Sequence, residues 1–224
     1  KIHFDFNGGN LGFRDVYIKL GALPFIGGHF FIGNFAEPTG LDMLTSSNYI
    51  SFIERAMLTS TQNFRWNSGF KYANHKILNG KLGMQLAYTF NGDKSKAFLD
   101  NRLMDGGNFI GRVYTTPYVN KEKNQLIHAG INYERRDNPD DQYKLSLRPE
   151  THFWNKISYS DSVEIQNDFG AELAATFGPL SLQAEYELSS SKVDEESFNV
   201  HGYYAYVSFF LTGEHRGYKN GAFG

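Results

Sequence analysis

Cysteine is absent from the 224 residues. That excludes a disulfide framework, a cysteine-ligated zinc site and a thiol nucleophile. Long hydrophobic runs are missing too. Mean hydropathy is −0.45, and no stretch approaches the about 20 consecutive apolar residues of a membrane helix. Nor is there an excess charge of one sign. Against 24 acidic residues stand 22 Lys and Arg, for a net −2, too balanced to point to nucleic acid. No Walker loop, GxSxG elbow or GxGxxG occurs. The seven histidines show no two-His-plus-carboxylate spacing on one element, since His3, His128 and His201 are separated strand residues. Neither a metal nor a cofactor is expected.

What the chain does have is alternation. Leu180, Leu182, Ala184, Tyr186 and Leu188 are apolar, while Ser181, Gln183, Glu185 and Glu187 between them are polar. Strict period two reads as a strand with one greasy and one wet face. Leu82, Met84, Leu86, Tyr88 and Phe90 repeat the pattern, as do Ile127, Ala129, Ile131 and Tyr133, and then Phe169, Ala171, Leu173, Ala175 and Phe177. Many long two-faced strands with almost no helix to cover them imply an all-β fold. The fold class read here is an antiparallel transmembrane β-barrel, apolar toward lipid and polar toward a lumen. Aromatics make up 16% of the chain, from 20 Phe and 14 Tyr but only 2 Trp, and would form belts at the two membrane interfaces. A soluble β-sandwich binding module would use aromatics as well, and stands as one alternative.

Turn chemistry at Asn7-Gly8-Gly9-Asn10, Asn79-Gly80, Asn138-Pro139-Asp140-Asp141 and Gly178-Pro179 bounds about eleven strands. One of them is placed over Gln142–Arg148, and the last over Asn199–Thr212. Short connections alternate with long ones, as in a barrel with tight turns at one rim and long loops at the other. No composition break marks a second domain, so residues 1–224 form one unit. Residues 36–65 break the period. Their apolar positions Ile50, Ile53, Met57 and Leu58 suggest a short helix between Asn48 and Met57, with Ser46 or Ser47 as its cap. A structured connection of that length inside a β protein is usually functional.

Charge on the wet face is the chemistry available to such a fold. Arg112, Lys144, Arg148 and Lys71 stand at alternate positions among apolar neighbours and should face the lumen, where they give an anion several weak sites. Asp15, Glu134, Glu172, Glu185 and Glu187 should face it too, and a mixed lumen suits a general diffusion pore equally well. Glu185 and Glu187 share a face about 7 Å apart, a separation glycosidases use, but solvated strand carboxylates do the same. Asn138-Pro139-Asp140-Asp141 is a turn without the EF-hand pattern of a calcium loop.

Two separated motifs carry a resemblance. Gly33-Asn34-Phe35-Ala36-Glu37-Pro38-Thr39-Gly40-Leu41 runs on to Leu44-Thr45-Ser46-Ser47 and Phe52-Ile53-Glu54-Arg55-Ala56. The second is Tyr206-Val207-Ser208-Phe209-Phe210-Leu211-Thr212-Gly213-Glu214-His215-Arg216-Gly217-Tyr218, ending in Gly221-Ala222-Phe223-Gly224. Both resemble the phosphate-selective porin O/P family, and the likeness covers nearly the whole chain. It implies a barrel of about 16 strands, usually a homotrimer, embedded in the lipid bilayer of the bacterial outer membrane. It also implies passive passage of small hydrophilic or anionic solutes, with no catalysis. The 36–65 segment resembles the family's inward-folded constriction loop, with Glu37, Asp42, Thr45, Ser46, Ser47 and Glu54 on it. Arg55 then either meets solute at the narrowest point or pins the loop through Asp42 or Glu54. Family members extend beyond both ends of this sequence, so an internal fragment of a longer chain is expected. They often carry Lys where Ala36 stands, which weakens the expectation of phosphate selectivity to a slight anion preference. A non-conducting barrel that anchors a surface assembly is the remaining alternative.

Overall fold

The computed structural model of the chain describes residues 1–7, 10–21, 26–61, 66–90, 106–137, 145–147, 155, 157–160, 163–193 and 196–224. Strands dominate. β1 (Ile2–Asn7), β2 (Asn10–Leu20) and β3 (His29–Ala36) lead into two short helices, α1 (Leu41–Leu44) and α2 (Met57–Thr61). β4 (Trp66–Ile77), β5 (Leu82–Phe90), β6 (Gly107–Asn120) and β7 (Gln125–Asp137) follow. After the short β8 (Leu145–Leu147) and β9 (Ile157–Ser160) come β10 (Ile165–Phe177), β11 (Leu180–Val193) and β12 (Glu196–Phe209). β13 (Tyr218–Lys219) and β14 (Ala222–Phe223) close the chain.

Ten strands form one antiparallel sheet in the order β1-β2-β3-β4-β5-β6-β7-β10-β11-β12. β1 and β12 are not paired with each other, so the sheet is open. Tight turns join neighbours at one end. Between β4 and β5, Asn79 and Gly80 both have left-handed backbone (φ 59° and 86°), the geometry that Asn and Gly reach most cheaply. Gly178, at φ 60°, does the same between β10 and β11. The long β3–β4 connection leaves from the opposite end.

The two faces of this sheet are inverted relative to a soluble protein. Arg112, His128 and Gln183 are 0% exposed, while Ile131 is 65% and Val207 64% exposed. Along β10, Leu173 lies on the bare face and its neighbours Glu172 and Ala174 are buried. A soluble sandwich hides the apolar face and wets the polar one. A continuous bare apolar face on this scale requires a non-aqueous surrounding. The soluble β-sandwich alternative is therefore overturned by burial itself.

Three further expectations are corrected. The strand expected over Gln142–Arg148 does not join the ten-stranded sheet. Within that span only Leu145–Leu147 is a described strand; it pairs with β9, and β7 pairs directly with β10 from Gln125 to Asp137. The full-length register between those two strands leaves no place for a third between them. The helix expected between Asn48 and Met57 is also absent. Helix forms on either side of it, at α1 and α2, and residues 46–56 are turns and bends. The cause is Arg55, whose guanidinium donates to the Asp42 and Thr45 carbonyls. It thereby closes the segment into a loop instead of letting a helix run through it. The last strand, expected to reach Thr212, ends at Phe209.

Candidate functional site

The polar face of the sheet is covered from both ends. From one end comes the β3–β4 connection. Glu37, 0% exposed, fixes its first residues to the wall. Its Oε1 accepts from Asn67 on β4 at 2.9 Å, Thr89 on β5 at 2.5 Å and Asn108 on β6 at 3.4 Å. Its Oε2 accepts from Arg136 on β7 at 2.9 Å. One carboxylate thus ties four strands to the loop, and as a buried charge it keeps its cation.

Farther along, the backbone N–H groups of Leu41 and Asp42 donate to the Glu185 carboxylate on β11 at 2.9 and 2.7 Å. Gly40 at the helix start supplies no side-chain cap. A wall residue therefore does the work that Ser, Thr, Asp or Asn normally does within the chain. Thr45, 1% exposed, turns its hydroxyl back to the Leu41 carbonyl at 2.8 Å. Ser46 and Ser47 are exposed and make no cap. At the loop's far side Ser51 donates to Tyr206 on β12 at 3.3 Å, and Phe52 meets the Tyr206 ring edge-on at 5.2 Å.

From the other end comes the β13–β14 hairpin. Arg112 donates to the Gly221 carbonyl at 2.7 Å. The Tyr218 hydroxyl lies 2.7 Å from His128 Nδ1. Loop and hairpin meet over β10, where Leu41, Ala174 and Phe223 form a small apolar cluster. Arg216 stacks on the Phe223 ring at 3.6 Å and donates to Gln183 at 2.9 Å.

The sequence-predicted cations lie in different settings. Arg112 grips Glu172 bidentately, Nε to Oε1 and Nη2 to Oε2 both at 2.6 Å, with His128 Nε2 3.1 Å from the same carboxylate. Arg55 is bound within its own loop, 3.7 Å from Asp42 Oδ1. Burial pulls its guanidinium below the ordinary range, with Asp42 and Glu185 acting against that pull. Lys71 is different. Its ammonium donates to the Ala36 carbonyl at 3.3 Å and sits over the Phe35 and Phe31 rings at 4.3 and 5.1 Å. Among the described residues no carboxylate pairs with it. Arg148 and Lys144 lie outside the described residues, as does the Asn138-Pro139-Asp140-Asp141 turn. Glu54 lines a cleft beside β12 together with Asp42.

Register shows how charge is sorted across the face. His29, Ala73, Gln85, Arg112 and Asn132 lie on one rung from β3 to β7. One rung over, Phe31, Lys71, Ala87, Ile110, Glu134 and Asp168 follow from β3 to β10. Lys19, His29, Lys71 and His75 occupy the β2–β4 side. Glu134, Asp168, Glu172, Glu185 and Glu187 occupy the β7–β11 side, beneath the loop and hairpin. Arg136 sits among them, paired with Glu37 and Glu134. Sequence reading gave no site role to Arg136, Tyr204, Arg216 or Tyr218, although Arg216 and Tyr218 lie in the second motif of the resemblance. Arg136 was findable, because it shares the wet-face parity of Glu134. Nothing periodic marks residues after Phe209.

An open antiparallel sheet with an apolar outer face, and with loops folded onto a charged inner face, defines the class of outer-membrane β-barrel proteins. Sequence comparison gives the family. The chain matches the phosphate-selective porin O and P family over residues 1–224, and belongs to it. It is also 26% identical over 211 residues to Porin O of Pseudomonas aeruginosa, an alignment covering 84% of this chain and 47% of that protein. The chain thus spans about half the length of the curated relative that it matches. This family comprises bacterial outer-membrane transport proteins, not enzymes.

Proposed function

We propose that the complete barrel is a passive channel for small hydrophilic solutes with a weak anion preference and no tight phosphate site. The supporting observation is a difference in exposure between the two charge sets. Glu134 at 0%, Asp168 at 1% and Glu172 at 4% are sealed beneath loop and hairpin, while Lys19 is exposed and Lys71 half-buried. A passing ion then meets the ammonium groups of β2 and β4, together with Asp15 on β2, which Lys1 pairs at 2.6 Å, and is shielded from the carboxylates of β7, β10 and β11. The 36–65 loop acts as the constriction, held by Glu37, Asp42, Thr45 and Glu185, with Ser46, Ser47 and Glu54 on its exposed side. Lys71 brings positive charge to the Ala36 carbonyl, the position at which relatives often carry a lysine. The guanidinium groups of Arg112, Arg136 and Arg216 are buried and already hold protein acceptors, with Arg112 Nη1 and Arg216 Nε left unpartnered. Their burial, and not a lack of donors, argues against a tight phosphate site there.

The unpaired edges of β1 and β12 carry N–H and C=O groups that hydrocarbon cannot satisfy. Further strands of a longer chain closing the barrel meet that need. Family likeness also favours a homotrimer, which semi-native electrophoresis of the full-length protein tests. The deciding experiment for channel activity is planar-bilayer recording of the full-length protein, with reversal potentials under a KCl gradient. Stepwise conductance with a modest chloride preference is expected. An absence of steps would leave the anchoring barrel as the better account.

A further inference from the structure

Beside β12 the loop and the wall enclose a cleft of about 440 Å3 whose chemistry differs from that of the ion route. One side is aromatic. Tyr204 and Tyr206, at alternate positions of β12, stack with centroids 6.0 Å apart and planes within 13°, and Phe52 closes on Tyr206 edge-on. The other side is mixed, with Asp42, Ser51 and Glu54 set among Ile50, Ile53 and Ala56. Within it, Asp42 is 5% exposed and its Oδ2 is buried without a hydrogen-bond partner. A buried acceptor left unpaired costs free energy until a donor reaches it.

We propose that this cleft binds a neutral polyhydroxylated solute of the mono- or disaccharide class. Three features select that chemistry. Its volume lies within the ordinary range for small-molecule sites, about 300–1,000 Å3. Aromatic faces beside hydrogen-bonding groups match a pyranose, whose ring presents C–H faces and an equatorial belt of hydroxyls. Charge then removes the competitors. An anion would meet Asp42 and Glu54. For an organic ammonium Asp42 is already matched, because the Arg55 guanidinium, outside the lining, stands 3.7 Å from its Oδ1. A hydroxyl satisfies the orphan oxygen without disturbing that pair.

The test uses the full-length protein in a detergent without a sugar headgroup, and saturation-transfer difference NMR with glucose and maltose. Binding is read there whether or not the barrel conducts, so failure of this site and failure of the channel are separate results. Transfer to the ring C–H protons is expected, saturating as sugar is added and undiminished by phosphate. Phe52 is 60% exposed, and its replacement leaves the wall intact. Phe52→Ala should weaken apparent affinity about five- to tenfold, and Phe52→Tyr should restore it. No transfer to either sugar in the wild type overturns the proposal. So does equal binding by wild type and Phe52→Ala, or displacement of the sugar by phosphate or by an alkylammonium ion.

Discussion

Glu185 on β11 caps helix α1 from the opposite side of the fold: its two carboxylate oxygens accept from Leu41 and Asp42 across 144 and 143 residues of chain. A four-residue helix has no independent stability. Its position is set by the wall, and the wall holds it through one side chain. The Tyr204 hydroxyl donates to the same carboxylate, so β12 joins the anchorage.

Glu185→Gln should therefore free the loop while leaving the sheet folded. An amide offers one acceptor oxygen where the carboxylate offered two, and the loss of a charged cap costs about 1–2 kcal/mol. In bilayers the expected result is larger single-channel conductance with more open-channel noise, together with faster protease cleavage between Tyr49 and Arg55. Unchanged conductance and cleavage would show that Glu37 holds the loop without help.

Hairpin docking depends on one glycine. Gly221 has φ 83°, and a Cβ there would lie 2.4 Å from a Tyr114 ring carbon and 3.0 Å from Arg112 Nη1. Left-handed backbone and a closed approach oppose substitution together. Gly221→Ala should lift β13–β14 from the wall, breaking the Arg112 bond to the Gly221 carbonyl. Tyr218 quenching by an aqueous probe would report the lift. A control, Gly80→Ala, carries the same left-handed strain at φ 86° but has open space at the Cβ, and should leave Tyr218 protected.

Fold class was legible because period two survives burial of either face. What alternation could not reveal was which wet-face charges are spent internally. Arg112 and Lys71 look alike in the sequence, each a cation at an alternate position between apolar neighbours. Only the register that sets Glu172 opposite Gly130, diagonal to Arg112 across β7, and the hairpin over the pair, separates a sealed ion pair from an available ammonium. The helix placed after Ser47 failed for a related reason. Its sequence cues were local, whereas Arg55 and Glu185 act through contacts that no local pattern encodes. The strand read over Gln142–Arg148 does contain β8, but β8 pairs with β9 outside the main sheet, a difference that three apolar-polar alternations do not encode.

The Arg112–Glu172 pair yields a charge-balance experiment. Either single change, Arg112→Gln or Glu172→Gln, strands a buried charge and should lower the unfolding temperature on heated gels by an amount equivalent to about 3 kcal/mol or more. Selectivity should shift in opposite directions, toward cations for the first and toward anions for the second. The double variant should return the reversal potential to the wild-type value and recover part of the stability. Retention of a shifted potential in the double variant would mean that Arg112 acts on permeating ions in its own right.

Lys71 carries the strongest expectation for selectivity. Its ammonium has a carbonyl and two aromatic faces as neighbours, so its positive charge is screened by no paired carboxylate among the described residues. A fixed charge of this kind lowers the electrostatic barrier for an anion and raises it for a cation, and the effect weakens as salt shortens the Debye length to about 3 Å at 1 M. Lys71→Gln should reduce the chloride-to-potassium permeability ratio at low salt and have much less effect at 1 M. Lys71→Arg should preserve the ratio, since charge and not geometry is what acts there. Because Arg112 is already matched by Glu172, Lys71→Gln should lower the ratio further than the Arg112→Gln/Glu172→Gln double variant does. Reversal potentials measured at two salt concentrations separate these outcomes. An unchanged ratio in Lys71→Gln would remove β4 from the ion route and return the lumen to a pore without charge preference.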